Sequence, residues 1–226
     1  MEINKIYSGD CLEEIKKIPD KSIDAIITDP PYFLGMTHNG KKGEMTDLAI
    51  CTPFYDMLFK EIKRVLKDDG SVYMFTDWRG YAFYYPIFDR NIGARNMLVW
   101  DKGSGGGNYY TFEHELIIFG TNNTHFACKG ARNILRGIKA FASGAKATNG
   151  EKVHPTQKPI ELIERLICDS TKEGDLVLDC FMGSGTTAIA AKKLNRNFIG
   201  FEIQEKYVEI AQQRLKQVHK QTELQH

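Results

Sequence analysis

The sequence predicts an α/β fold, a mostly parallel sheet with one antiparallel strand and helices on both faces. Three observations predict it. Short apolar runs alternate with segments of helical period along the chain, the pattern of strands covered by crossover helices. Two of those runs end abruptly, one in Asp29-Pro30-Pro31 and one in a glycine-rich turn at Gly183-Ser184-Gly185, as strands do where an open sheet meets a ligand. The length, 226 residues, suits one domain with a large core.

The first strand is read at Ile3–Tyr7, with a short helix from Cys11 to Ile18 that Pro19 closes. Ile23–Thr28 is the second strand. Two prolines cannot sit in a central strand, so the chain leaves the sheet at Pro30. After a polar loop at roughly 33–50, Phe54, Met57, Leu58, Ile62, Val65 and Leu66 keep helical spacing until Asp68-Asp69-Gly70. Ser71–Thr76 is the next strand, followed by a Tyr/Phe-rich helix at about 79–90 and a strand at Asn96–Trp100. A glycine-rich tip, Gly103 to Gly107, then leads to Leu116–Phe119, read as the antiparallel partner across that tip. The stretch from Thr121 to Val153 is basic, rich in Gly, Ala and Asn, and weakly periodic, so it reads as a loop or a small excursion from the sheet. Pro159 stands at a first helical position before Ile160, Leu162, Ile163, Leu166 and Ile167. The strand Leu176–Leu178 enters the glycine turn, Phe198–Phe201 follows, and a last helix runs from about Gln204 to Val218.

The net charge of +1 does not by itself suggest nucleic acid. The average hides a local bias: Thr121 to Lys158 holds seven basic residues (Lys129, Arg132, Arg136, Lys139, Lys146, Lys152, Lys158) against Glu151. Five cysteines without a C-x-x-C pair argue against a disulfide framework and a zinc site. No run of eighteen apolar residues is present and the N-terminus lacks an apolar signal core, so a reduced, cytoplasmic protein away from membranes is expected.

Gly183-Ser184-Gly185-Thr186-Thr187-Ala188 follows a strand, opens a helix and fits G-x-G-x-x-[GA]. The first glycine permits the tight turn, the second a close backbone approach to a ligand, and Ala188 close packing of helix on strand. Glu202, at the end of the next strand, can accept hydrogen bonds from a ribose diol. These features point to a nucleoside but do not choose between NAD and S-adenosylmethionine (SAM). Asp29-Pro30-Pro31-Tyr32 joins a carboxylate, a rigid corner and an aromatic ring at a strand end. Asp29 and the Pro30 carbonyl can accept both hydrogens of an NH2 group, and Tyr32 offers a face for a planar ring. Two fixed acceptors stabilise the charge that grows on such a nitrogen as it attacks.

With these residues in place, the sequence resembles the amino-DNA methyltransferases, which make N6-methyladenine or N4-methylcytosine. Thr28 to Tyr32 is similar to their catalytic motif and Asp179-Cys180-Phe181-Met182-Gly183-Ser184-Gly185 to their SAM motif. His154-Pro155-Thr156-Gln157-Lys158-Pro159 matches a third motif, and Val99-Trp100-Asp101-Lys102 through His114-Glu115 the segment beside the base pocket. The catalytic motif comes first, so the resemblance implies the β-class order, a circularly permuted Rossmann-like SAM-dependent methyltransferase fold. It implies one catalytic domain over 1–226, with a short basic DNA-contacting insertion at about 121–153.

The same resemblance implies that Asp179 holds the SAM ammonium group and that Phe181 lines the methionine pocket. Gly183–Gly185 N–H groups and the Thr186 and Thr187 hydroxyls serve the carboxylate, Glu202 the ribose, and Gly9-Asp10-Cys11 the adenine. Asp10 by itself reads as a helix cap, and the two roles are compatible. Lys158 is a candidate for a SAM or phosphate contact. No metal is required, because the sulfonium already activates the methyl group. Double-stranded DNA is the implied partner, with the target base flipped out. It stacks on Tyr32, with Tyr109, Tyr110 and Phe112 as secondary candidates. Phosphates meet the basic segment and Lys41-Lys42; Asn133 and Arg136 are candidate base readers. The recognition interval is short, which fits a short site, relaxed specificity or a homodimer. The leading Asp favours adenine N6, with cytosine N4 as the alternative. An NAD-dependent dehydrogenase or a non-catalytic DNA-binding module are the readings from other classes.

Overall fold

The computed structural model describes residues 1–31, 37–38, 41–42, 48–106, 109–121, 130–140 and 157–223. In chain order the elements are β1 (Lys5–Ser8), α1 (Cys11–Ile15), β2 (Ile23–Thr28), β3 (Thr37–His38), β4 (Lys41–Lys42), α2 (Leu48–Val65), β5 (Leu66–Thr76) and α3 (Trp78–Asn91). Then follow β6 (Asn96–Asp101), β7 (His114–Thr121), β8 (Ile134–Leu135), α4 (Ile160–Ser170), β9 (Leu176–Asp179), α5 (Thr186–Lys193), β10 (Asn197–Glu202) and α6 (Glu205–Glu223). Eight strands form one sheet in the order β1-β10-β9-β2-β5-β7-β6-β8, and β3 pairs with β4 in a separate hairpin. β7 is antiparallel to both neighbours; the other pairs in the large sheet are parallel. The mostly parallel sheet with one antiparallel strand and helices on both faces, read from the sequence, is the one observed.

Helices cover both faces because successive strand residues point to opposite sides. Ile26, Val72, Met74, Leu178 and Ile199 face α1, α2 and α3, in a core that includes Ile15, Tyr55, Phe59 and Phe88. Their neighbours Ile27, Tyr73, Phe75, Val177 and Phe198 face α4, α5 and α6, packing on Leu162, Leu166, Ala188 and Ala211. Among the described residues, no helix is long and apolar enough to cross a membrane.

Three departures from the sequence reading have physical causes. β5 begins at Leu66, and Asp68-Asp69-Gly70 lies inside it. The pairing shifts from Ile23 opposite Leu66 to Ala25 opposite Ser71, so the polar triplet is a bulge within the strand and not a turn before it. α2 starts at Leu48, because Cys51 continues the buried face of Tyr55, Leu58 and Ile62 one turn upstream. Within the basic stretch read as a loop, Ile134 and Leu135 form β8 against Val99 and Trp100, with Leu135 buried and the Trp100 indole donating to the Ile138 carbonyl at 2.7 Å. Two residues give too short an alternation to detect.

β1, β10, β9 and β2 run parallel, so Ser8, Glu202, Asp179 and Thr28 finish at one edge of the sheet. Loops after strand ends at this edge build ligand sites in open α/β folds.

Candidate active site

Asp10 caps α1, its carboxylate accepting from Leu12 N at 2.8 Å. Asp10 and Cys11 line a cleft of about 250 Å³ together with Pro31, Phe181, Glu202 and Ile203. That volume is below the ~300–1,000 Å³ of whole-ligand pockets, and suits the nucleoside end of a cofactor. Burial pushes the Cys11 thiol up to about 12, so it lines the cleft as a neutral wall.

The glycine turn is fastened to the end of β10. Glu202 accepts from Gly183 N through one oxygen and from Gln204 N through the other, both at 2.9 Å. A carboxylate has about four lone-pair sites, so capacity remains for a diol. The two glycines divide the work differently from the sequence reading. Gly183 has φ +52°, and a Cβ there would meet nothing nearer than the Phe181 carbonyl at 4.0 Å, so the space beside it is open. Gly185, at φ +85°, caps α5, and a Cβ there would stand 2.7 Å from Ala211 Cβ of α6. The Arg214 guanidinium reaches back from α6 to the Ser184 carbonyl and hydroxyl, and Ser184 Oγ donates to Gln157 at 3.3 Å. Nothing in the local sequence of α6 signals that contact.

Asp179 is buried at the end of β9. It accepts from Phe181 N at 3.0 Å and from the Thr187 hydroxyl at 2.7 Å. Burial raises its carboxyl to about 7, with those two hydrogen bonds pulling it down and the Asp29 charge pushing it up. Thr186 is buried in the first turn of α5.

The corner after β2 is held from two sides. Pro30 is buried, and the Tyr84 hydroxyl of α3 donates to the Pro31 carbonyl at 3.2 Å. Asp29 Oδ2 accepts from Lys158 Nζ at 2.7 Å, and the same ammonium donates to Glu115 Oε2 at 2.9 Å. Lys158 also lies 5.1 Å from the centre of the Phe75 ring. Burial alone would lower the ammonium, but Asp29 and Glu115 hold it above its ordinary value, so it stays charged. Glu115 is the residue of this group that sequence reasoning quoted only as part of a motif.

Tyr32, His154-Pro155-Thr156 and most of the basic segment lie outside the described residues. Tyr109 and Tyr110 are 98% and 90% exposed, too open to be core, and Phe112 is about half-exposed. Asn133 donates to the Met97 carbonyl at 3.3 Å, and Arg136 sits 3.7 Å from Asp101. Lys41 and Lys42 form β4.

The sequence pattern of the N6/N4 DNA methylase family matches residues 23–213, spanning the Asp29 corner, the Lys158 segment and the glycine turn. The chain belongs to this DNA methylase family. It is 32% identical over 248 residues to the type II methyltransferase M.HinfI of Haemophilus influenzae, covering 96% of this chain and 69% of that protein. The solved M1.HpyAVI–SAM complex superposes with a TM-score of 0.71 at 26% identity, over 93% of this chain and 98% of that one. The cytosine-N4-specific PvuII DNA methyltransferase shares the fold, at a TM-score of 0.72 and 19% identity over 95% and 90% of the two chains.

Proposed function

We propose that this DNA methylase transfers a methyl group from SAM to the exocyclic amino group of a DNA base, adenine N6 in preference to cytosine N4. The observation that carries the reading is that Pro31 of the Asp29 corner lines the same cleft as Asp10, Phe181 and Glu202. A nucleoside held by the last three therefore has the acceptor corner beside it. The residues present fit SAM: Gly183 leaves open space at the turn, and buried Asp179 calls for a cation such as the amino-acid ammonium. Bound there, SAM supplies an activated methyl group.

The chain's own residues do the rest. Glu202 and Asp10 hold the ribose and adenine, while Phe181 and Cys11 line the cleft. Asp29 and the Pro30 carbonyl accept from the base amino group and stabilise the charge that develops on its nitrogen; Tyr32 stacks the base. A base amino group lies inside the duplex stack, so the base is presented extrahelically. The β-class permuted order fits the site, because the strand before the glycine turn stands beside β2 although 147 residues of chain lie between Thr28 and Leu176. The basic 121–153 segment is assigned to phosphates, with β8 fixing part of it to the sheet.

Nucleoside analysis of DNA methylated in vitro tests the base. N6-methyldeoxyadenosine is expected; N4-methyldeoxycytidine as the sole product would overturn the adenine assignment, and no methylated nucleoside would overturn the reaction.

A further inference from the structure

The geometry points to Lys158 as a positioning residue for amino-group methylation, one that pins the Asp29 carboxylate at the base pocket and keeps it an acceptor, not a base. The inference rests on the methylation reading above and adds a residue to it.

Lys158 is 7% exposed, and its ammonium bridges two carboxylates from separate elements, Asp29 after β2 and Glu115 on β7. It stands one residue ahead of Pro159, the N-cap of α4, where the helix dipole disfavours a cation. A lysine in this place is stable only because the two carboxylates offset both the dipole and the loss of water. Buried ion pairs of this kind are often no more stabilising than apolar replacements, so stability alone does not account for one at the catalytic corner. What the pair does supply is geometry. Oδ2 of Asp29 is fixed at 2.7 Å from the ammonium, which sets the plane of the carboxylate relative to the cleft.

The charge also decides where the proton goes. The amine lone pair forms the new nitrogen–carbon bond as the carbon–sulfur bond breaks and leaves its pair on sulfur. The nitrogen, now cationic, must release one N–H proton. With Lys158 against it, Asp29 is a poor resting place for that proton, so it accepts a hydrogen bond from the amino group while water takes the proton. Among the described residues, the titratable groups that face Asp29 are Lys158, Glu115 on β7, Asp179 on β9 and Tyr84 on α3, with Lys102 standing 3.7 Å behind Glu115.

The test compares single-turnover methyl transfer at saturating SAM and DNA from pH 6 to 8.5 in the wild type, Lys158→Met and Lys158→Met/Glu115→Gln. The double variant keeps a single buried carboxylate at the corner and guards against a fold lost to two facing charges. The wild-type rate is expected to be flat. Both variants should be slower by about 10²–10³-fold at pH 7.5, the loss typical of one preorganised electrostatic contact. They should also gain an acidic limb that rises with pH, with SAM affinity kept within about threefold, a loss under ~1 kcal/mol. In an Asp29→Asn background, Lys158→Met should change the rate by no more than about twofold, because its effect runs through Asp29. Three results would overturn the inference: rates within threefold of wild type, a loss in SAM affinity as large as the loss in rate, or slower variants whose pH profile stays flat. An inactive wild type would sink the methylation reading and this inference with it, whereas an active wild type with an unaffected Lys158→Met sinks the inference alone.

Discussion

Asp179 and Asp29 are carboxylates at neighbouring strand ends, and their surroundings give them different work. Asp29 has a cation at 2.7 Å, whereas Asp179 has only neutral donors and burial, which raises its carboxyl to about 7. A carboxyl raised above its unfolded value favours folding at pH below that value. The benefit is lost as pH climbs toward the folded pKa, so the apoprotein should weaken between about pH 4 and 7. Binding of a cationic ligand has the opposite sign, since it needs the ionised form. From pH 6 to 7.5 the ionised fraction of Asp179 goes from about a tenth to about three quarters, so SAM affinity by titration calorimetry should rise about five- to tenfold. Asp179→Asn should bind more weakly, with little dependence on pH. Asp179 was legible in the sequence because it stands next to a glycine turn. The Lys158 pair was not: its partner lies 129 positions away, and a solvated lysine gives the same local pattern.

At the scale of the element, the turn between β9 and α5 holds one glycine with open space beside it and another packed against the fold. Gly185 is the packing glycine: left-handed φ and a Cβ position 2.7 Å from Ala211 combine two costs. Gly174 has the same φ of +85° but open space around it. Gly174→Ala should therefore cost about 1–2 kcal/mol, from backbone strain alone. Gly185→Ala should add overpacking of about 1–3 kcal/mol. Urea denaturation of the two variants measures the difference, and equal losses would refute the packing role. β2 was readable to the residue because its apolar run is long and Pro30 ends it. β5 was cut short in the sequence reading because a bulge of Asp-Asp-Gly has the composition of a turn, and β8 was missed because two residues carry no period.

Among the described residues, the two motifs meet at one edge of the sheet, and three exposed basic residues lie near β6. Exposed Arg132, Arg136 and Lys139 flank β8, and Tyr109 and Tyr110 project from the loop between β6 and β7. If the first group meets phosphates, Arg132→Ala and Lys139→Ala should each reduce the slope of log affinity against log salt by about 0.9, without changing thermal stability. An unchanged slope would remove that segment from the DNA-binding surface. The mostly parallel sheet and the two corner motifs were legible from periodicity and corner residues. The union of Asp29 with Lys158 and Glu115 required the sheet, because β2, β7 and the approach to α4 meet only in three dimensions.

The most direct measurement is transfer of labelled methyl from SAM to duplex DNA by the wild type and by Asp29→Ala, with SAM affinity measured on both. The wild type should label DNA, and Asp29→Ala should lose transfer by at least about 10³-fold while binding SAM within about threefold of wild type. Substantial transfer by Asp29→Ala, or a parallel collapse of SAM binding, would contradict the assignment of Asp29 as the acceptor for the base amino group.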